Sequence, residues 1–536
     1  MINQKMKAFL FSLLLLIIVG GCSKDEEVSQ TEVTVNPEEV GYPDELTYWT
    51  ELHPSVSTSL EDLNGVGVYQ ELEKITGTKV NFQHPSGEGS QITEQFNLLI
   101  ASGNLPDVME YNWHSVQRGP DNAIESGTII RLNELIEEYA PNFSNYLKQN
   151  PEIKKMITTD EGNIYAFPFL RSDEQLMVFM GPIIRQDWLD KLNLDKPTTI
   201  DEWENVLRAI KEGDPNGNGE NDEIPLLIQP DQIKNIGAFA SAWGMTPMFY
   251  QENGSVKFGS IQPEYKDFLS RMNSWYEEGL LDQDFAATDG KLLDAKVTSE
   301  QLGSFYGYTG GGIGRFTGLM ADKNSEFKLT PAPHPSLRKG EKAARGHKDY
   351  PYSGFHSVAL TGDAENPEEI VKWLDYAYSE EGHMLFNFGV EGVSYEIEDG
   401  YPKYTDEVMK NPEGLPVSQA LAKYVRSSYG GPFLQDVRYV EQYLELPEQK
   451  EAIQLWVDSA ENDIIMPLVT LTSEESREYT SIMSDLETYY DEMVIKFIMG
   501  VEPIDNFNGF VETLKAMGID RAIELQQAAL KRYQDR

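Results

Sequence analysis

Cys22 is the only cysteine in a chain of 536 residues. No intramolecular disulfide can form, so whatever this chain folds into must be held by buried apolar area, with at most a bound ion to help. The length sets the scale. Beyond roughly 250–300 residues a single core stops growing and chains divide, so two or more lobes are expected. Hydrophobic residues at 40% and aromatics at 11% supply the material for such cores. The formal net charge of −44 argues against nucleic acid as a partner, because neutralising phosphates takes clustered Lys and Arg. It also disfavours direct adhesion to anionic lipid, and reads as solubility in a cation-rich space.

The place of that cysteine carries the next step. Lys5 and Lys7 precede an apolar run over 8–19, too short to span a bilayer but suited to the h-region of a signal peptide. Val19-Gly20-Gly21-Cys22 resembles a bacterial lipobox, where cleavage before the cysteine frees it for a diacylglyceryl group. Residues 1–21 are therefore expected to be a lipoprotein signal peptide. Cys22 is the expected lipidation site, on the outer side of the cell membrane of a Gram-positive bacterium. Residues 22–41 are acidic and free of aromatics, and read as a flexible tether. No second apolar stretch approaches spanning length, so the lipid is the anchor the sequence offers.

From Tyr42 the pattern alternates. Strands over 46–50, 79–83 and 107–111, with helices over 68–75 and 90–101 between them, imply a parallel, doubly wound α/β unit. Ligands of such sheets sit beyond the carboxyl ends of the strands, which makes residues 49–53 and 111–114 candidates for a cleft. A second unit opens near Met177 with an apolar run over 177–184 and a helix over 185–192. Thr199 and Glu202 form a capping box ahead of Trp203, Val206, Leu207 and Ile210, which share one helical face. Helices then dominate from Asn366, over 367–378, 447–458, 473–500 and 504–533. Pro367 and Pro447 suit a first turn. No internal repeat of solenoid length occurs.

Asp214, Asn216, Asn218 and Asp222 occupy positions one, three, five and nine of an EF-hand-like loop, with Gly219 at the tight turn and the carbonyl of Glu220 at the seventh. The match ends at the twelfth position, where Pro225 stands in place of Glu. Glu223, beside Asp222, supplies a further carboxylate. Three carboxylates with two amide oxygens favour calcium over magnesium. The ion would be structural, since full ligation leaves no open position for chemistry.

Several stretches resemble the extracellular solute-binding proteins of bacterial ABC importers, specifically the large carbohydrate-binding lipoproteins. They are Asn97-Leu-Leu-Ile-Ala-Ser-Gly-Asn-Leu-Pro-Asp-Val108, Ile184-Arg-Gln-Asp-Trp-Leu-Asp-Lys-Leu192 with Pro197-Thr-Thr-Ile-Asp-Glu202, Phe388-Gly-Val-Glu-Gly-Val-Ser-Tyr395, and Phe497-Ile-Met-Gly500 before a long helical tail. The loop at 214–223 resembles the short calcium loop of the alginate-binding members. The resemblance implies a two-lobed, periplasmic-binding-protein-like α/β fold of type II, with two or three crossing segments and a sugar held at the hinge. It implies ABC permease subunits as partners and a monomer. The expected division is a first lobe over 42–170 with a return segment near 300–365, a second lobe over 171–299, and the remainder of the second lobe with a helical C-terminal region over 366–536.

A carbohydrate cleft needs aromatic platforms with polar groups at their rims. Trp49, Trp113, Trp243, Tyr308, Tyr352 and Tyr395 are the candidates, all in expected loops or strand ends. Tyr308 adjoins Gly310-Gly311-Gly312, where backbone can approach a ligand. Trp188, Trp203, Trp275, Trp373 and Trp456 fall on helical patterns and are expected in cores. Arg118, Arg171 and Arg185 read as salt-bridge formers, with uronate carboxylates as the alternative partner. The chain contains no His-Glu-x-x-His, Gly-x-Ser-x-Gly or Walker sequence, and its seven histidines are scattered. No catalytic residue is nominated. A sugar sensor or adhesin, and less so a polysaccharide-degrading enzyme, stand as alternatives.

Overall fold

A computed structural model describes residues 40–87, 89–352, 356–426 and 430–536. Cys22, the signal segment and all but the last two residues of the tether lie outside them.

Two four-stranded sheets organise residues 41–536. In the first, Ser357–Leu360, Val108–Tyr111, Glu45–Trp49 and Lys79–Gln83 lie side by side in that order. The last three are parallel, and Ser357–Leu360 returns antiparallel. The helices Gly67–Thr76 and Ser90–Ser102 make the crossovers. Gly67–Thr76 buries Val68, Tyr69 and Leu72, and Gly77 at φ 78° ends it. Asp107 fixes the register, its carboxylate accepting from both the amide and the hydroxyl of Thr47 at 2.7 Å.

The second sheet runs Leu329–Pro331, Met180–Arg185, Leu302–Tyr308, Ile224–Leu227. It is mixed: Met180–Arg185 is antiparallel to both neighbours, and Ile224–Leu227 is parallel to Leu302–Tyr308. Trp188, Trp203, Trp275 and Trp456 are fully buried around it, and Trp373 is buried against the first sheet. The capping box is realised, with Thr199 Oγ1 accepting from the Glu202 amide at 3.2 Å and Glu202 accepting in return. Ser473–Ile498 lies on Pro263–Glu277 through the Tyr265–Tyr490 hydroxyl contact at 2.8 Å. The helical run expected over 504–533 divides into Phe507–Ala516 and Ile519–Asp535 at Gly518, whose φ of 103° ends one helix and starts the next.

The lobe assignment departs from expectation. Leu302–Tyr308 and Leu329–Pro331, expected in the first lobe's return, belong to the second sheet. The helices Pro367–Asp375 and Glu380–Phe388, expected in the second lobe, place Ile370, Val371, Trp373, Leu374, Leu385 and Phe386 in the first core. Periodicity shows that a helix has an apolar face, but not which sheet that face will meet.

Among the described residues the chain passes between the two sheets and their cores near 171–179, 332–356 and 435–446. The crossings are tied to one another. Leu170–Arg171 pairs with Leu434–Gln435. The Arg171 amide donates to the Pro351 carbonyl at 2.8 Å, and the Asp349 amide to the Met177 carbonyl at 2.9 Å. At the far end of the chain, Arg532 and Arg536 form ion pairs with Asp160 of the first lobe.

One buried pair fastens the segment ahead of the third crossing to the first sheet. Arg426 Nη1 lies 2.7 Å from Glu110 Oε2, with side-chain exposures of 4% and 0%. Tyr48 donates to the same carboxylate at 2.8 Å, and Arg426 reaches Thr50 and Tyr69. Burial opposes ionisation of Glu110, but Arg426 and His356 outweigh it and bring its carboxyl from 4.5 down to about 2. A carboxyl depressed in the fold stabilises above its unfolded value and loses that contribution as pH falls through the window from 4.5 to about 2. Glu110→Gln is expected to cost about 3–5 kcal/mol near neutral pH, because Arg426 is left buried and unpaired. In denaturant unfolding the gap between wild type and variant should narrow as the pH is lowered to about 3. An unchanged gap would remove this ion pair as the cause.

Candidate functional site

A cleft of about 670 Å³ lies at the carboxyl end of Leu302–Tyr308, beside the second crossing. Met180 and Tyr308 are ladder partners at its edge. Gln229, Gln232 and Asn235 face it from the segment after Ile224–Leu227, and Arg345, His347 and Asp349 from the second crossing. A neighbouring recess of about 150 Å³ runs under Tyr308 to Gln435, Tyr439 and Tyr443 of the third crossing.

Tyr308 is 49% exposed. Phe179 backs it, with ring centroids 6.1 Å apart and planes 14° from parallel. One face of the phenol ring is thus supported while the ring remains accessible. Burial and the charges of Asp349 and Asp231 push its hydroxyl up, so it stays a neutral donor. The rim amides are held in place: Gln229 donates to the Thr288 carbonyl at 2.7 Å and Gln232 to the Tyr306 carbonyl at 3.0 Å. Asp349 is paired with Arg171, and His347 Nε2 lies 3.4 Å away. Burial alone would raise the Asp349 carboxyl, but the His347 hydrogen bond with the charges of His347 and Arg171 hold it at about 2.

The other aromatic candidates lie elsewhere. Trp49, Trp113, Tyr352 and Tyr395 are buried. Trp49 and Trp113 pack with Phe96 and Met109 in a satellite core, and Trp113 Nε1 donates to the Met109 carbonyl at 3.0 Å. The turn after Val108–Tyr111 folds the indole back under the sheet end instead of presenting it to solvent. Tyr352 meets Tyr165 hydroxyl to hydroxyl at 2.8 Å, and Tyr395 packs on Phe388. Trp243 is half-buried edge-on against Phe268 of the second core. Of the six, Tyr308 alone lines the large cleft. Of the glycines beside it, Gly312 serves packing, since a Cβ there would stand 2.9 Å from Ile183, while Gly310 and Gly311 line the recess. Arg185 is buried against Asp187, between the rings of Trp188 and Phe327.

Sequence reasoning missed Phe179, Arg345, His347 and Asp349. The last three stand in a crossing with almost no regular structure, and nothing periodic marks them. It also missed a polar recess of about 70 Å³ in the first lobe, lined by Glu51, His53, His356, Arg426 and Gly430. His53 did fall in the stretch singled out beyond the first strand. Burial, then His356 and Arg426, lower its imidazole pKa.

The loop 214–223 is folded around its own side chains. Asp214 accepts from the amides of Gly217, Asn218 and Gly219 at 2.9–3.1 Å. Asp222 accepts from Asn218 at 3.0 Å, Asn216 at 3.1 Å and Gln301 at 2.9 Å, and its carboxyl is lowered, chiefly by Asn218 and then Gln301. Glu220 is exposed, and its amide donates to Asn218 at 2.7 Å. Glu223 is 9% exposed, and neither carboxylate oxygen meets a hydrogen-bond donor. Burial and the charges of Asp214 and Asp222 push it up. Among the described residues, no three His, Cys, Asp or Glu side chains are gathered as a metal centre. The donor set nevertheless fits a hard cation, because Glu223 brings two unmet buried oxygens and both asparagines can turn Oδ1 inward.

The family model of bacterial extracellular solute-binding proteins matches residues 65–384. The fructooligosaccharide ABC transporter substrate-binding protein FusA of Streptococcus pneumoniae serotype 4 is 25% identical over 501 residues, covering 89% of this chain and 88% of the relative. Lipoprotein LipO of Bacillus subtilis strain 168 is 26% identical over 474 residues, covering 86% and 88%. The crystal structure of the alginate-binding protein AlgQ2 without calcium ion superposes with a TM-score of 0.73 at 28% identity, over 91% of this chain and 98% of the other. FusA and AlgQ2 are named as binding proteins. With a family match that spans more than half its length, this chain belongs to the bacterial extracellular solute-binding proteins.

Proposed function

We propose that this protein captures an oligosaccharide in the cleft at Tyr308 and delivers it to the permease subunits of an ABC importer. The observation that carries this reading is the phenol ring itself. It is half exposed, backed by Phe179, and set among side-chain amides at the point where the chain crosses between lobes. Sugar rings offer C–H faces to such a platform and hydroxyls to such a rim. FusA and AlgQ2 bind fructooligosaccharide and alginate, so chains of this build take oligosaccharides. Closing the lobes would drive water from Tyr308 and bring the third crossing toward the sugar.

The finer parts of the reading follow from the sequence and the loop. A calcium ion at 214–223 would be held by Asp214, Asn216, Asn218, the Glu220 carbonyl, Asp222 and Glu223. It would offset the charge that Asp214 and Asp222 place on Glu223, and so act on stability alone. Cys22 would carry the lipid that keeps the protein at the outer membrane face, as its resemblance to a lipobox implies. The chain would bind its sugar without cleaving it.

Three outcomes are expected. Titration with the sugar should compact the protein in small-angle scattering, and Tyr308→Ala should weaken binding by about 2 kcal/mol, roughly thirtyfold. Tight binding without compaction, or a release of cleaved sugar, would turn the reading toward an adhesin or an enzyme. A chelator should lower the melting temperature of the wild type, and added calcium should restore it. Glu223→Gln should blunt that response and leave the metal-free protein at least as stable, since it removes a buried unpaired carboxylate. Equal melting with and without chelator, in protein shown to hold metal beforehand, would refute the calcium reading. Finally, the full chain should enter the detergent phase on expression in a bacterium, and Cys22→Ala should remain in the aqueous phase.

A further inference from the structure

The charged groups that line the large cleft are Asp231, Arg345, His347, Lys348 and Asp349. Most are accounted for. Lys348 is paired with Glu174 at 2.5 Å, and Asp349 is matched by Arg171. Asp231 accepts from Asn235 and acts on Tyr308. Arg345 is different. Among the described residues no carboxylate lies within ion-pair distance of its guanidinium, no side-chain acceptor bonds it, and its Nε is buried without a partner. The one carboxylate that acts on it is Asp349, which Arg171 already neutralises. At this end of the cleft two guanidinium groups therefore face a single carboxylate.

The backbone holds this charge in place. Ala344 donates to the Ser241 carbonyl at 3.1 Å on one side, and Gly346 to Asn462 Oδ1 at 2.9 Å on the other. A Cβ on Gly346 would stand 2.5 Å from His334 Nε2, so the chain is packed tightly next to Arg345. Two residues on, His347 lines the same cleft. Its Nε2 faces Asp349, and its Nδ1 is buried without a partner. A cation held this firmly with its counter-charge missing is rare, because unpaired buried charge is costly. Water in the open cleft can solvate it. Closure removes that water, and the counter-charge must then arrive with the ligand.

We propose that the bound oligosaccharide is anionic, carrying a carboxylate or sulfate group that pairs with Arg345, while its hydroxyls lie toward Tyr308 and Asp231. This rests on the sugar-binding reading above and names the class of sugar. A guanidinium offers two parallel N–H donors to a planar carboxylate or to two sulfate oxygens, so it discriminates charge and orientation together. His347 Nδ1 is then available to a neighbouring hydroxyl.

Calorimetric titration of the chain from Ser23 onward tests this with matched pairs. One pair is trigalacturonate and its methyl ester, which has the same rings without the charge. A second is a sulfated chondroitin tetrasaccharide and its desulfated form. Neutral fructo-, xylo- and cello-oligosaccharides complete the panel. The charged member of one pair should bind roughly 100-fold tighter than its uncharged counterpart, and which pair responds distinguishes carboxylate from sulfate. Arg345→Gln should shrink that preference to within about threefold, and Arg345→Lys should retain part of it. Without ligand, Arg345→Gln should melt no lower than wild type, because it removes an unmatched charge. A fall of several degrees would show that the guanidinium has a partner inside the protein, and would overturn the proposal. Tight binding of a neutral sugar without charge preference would overturn it while leaving oligosaccharide capture intact. Failure of every sugar to bind would overturn both.

Discussion

The interaction on which the rest depends is the bundling of the three crossings between the lobes. Each passes through the same small region. The short ladder of Leu170–Arg171 with Leu434–Gln435 joins the first to the third, and the amides of Arg171 and Asp349 join the first to the second. The Arg171–Asp349 ion pair ties the same two crossings through their side chains. Backbone pairing of this kind permits rotation about the bundle but resists separation. The large cleft is lined by the second crossing, by the segment after Ile224–Leu227 and by the adjoining end of Leu302–Tyr308, so one wall of it belongs to the joint. A sugar at Tyr308, as proposed above, would sit beside the hinge, and its binding energy would act where it can alter the balance between open and closed forms.

Without a disulfide, each lobe is held by its own core. The second core gathers four fully buried tryptophans around a mixed sheet, and the first places Trp373 with the aromatic rings of Phe143, Phe167 and Tyr48. Several charged side chains that enter these cores are paired. Glu110 and Arg426 are the clearest case, since each would be intolerable alone. Among the described residues, two charged groups with buried, unpartnered atoms find no side-chain partner: Glu223 in the loop at 214–223 and Arg345 in the cleft. Both positions make sense if something not encoded in the chain completes them.

The loop is also wired into the second lobe. Gln301 donates to Asp222, and Asn216 donates to the carbonyl of Glu300, whose side chain lies 3.6 Å from Arg185. Arg185 in turn lies between Trp188 and Phe327. A cation in the loop would therefore stiffen the edge of the second sheet. It would not reach the sugar, which agrees with a structural role.

The sequence by itself determined what local physics controls. The strand–helix order of the first lobe, the capping box at Thr199, the helix beginning at Pro447 and the core tryptophans all follow from short-range periodicity and end signals. The folded turn at 214–223 was legible because its Asp, Asn and Gly residues are contiguous. Which sheet the helices after Pro367 cover was not legible, because an apolar face does not name its partner. Of the six aromatic candidates, only Tyr308 lines the proposed cleft. Trp49 and Trp113 follow strands as a ligand-facing residue would, yet their rings turn into a satellite core, since burying an indole gains more than exposing it. Arg345, His347 and Asp349 carry no sequence signal at all. They become a site only because the tertiary structure threads their crossing past Tyr308, and long-range pairing of that kind depends on contacts between residues far apart in the chain.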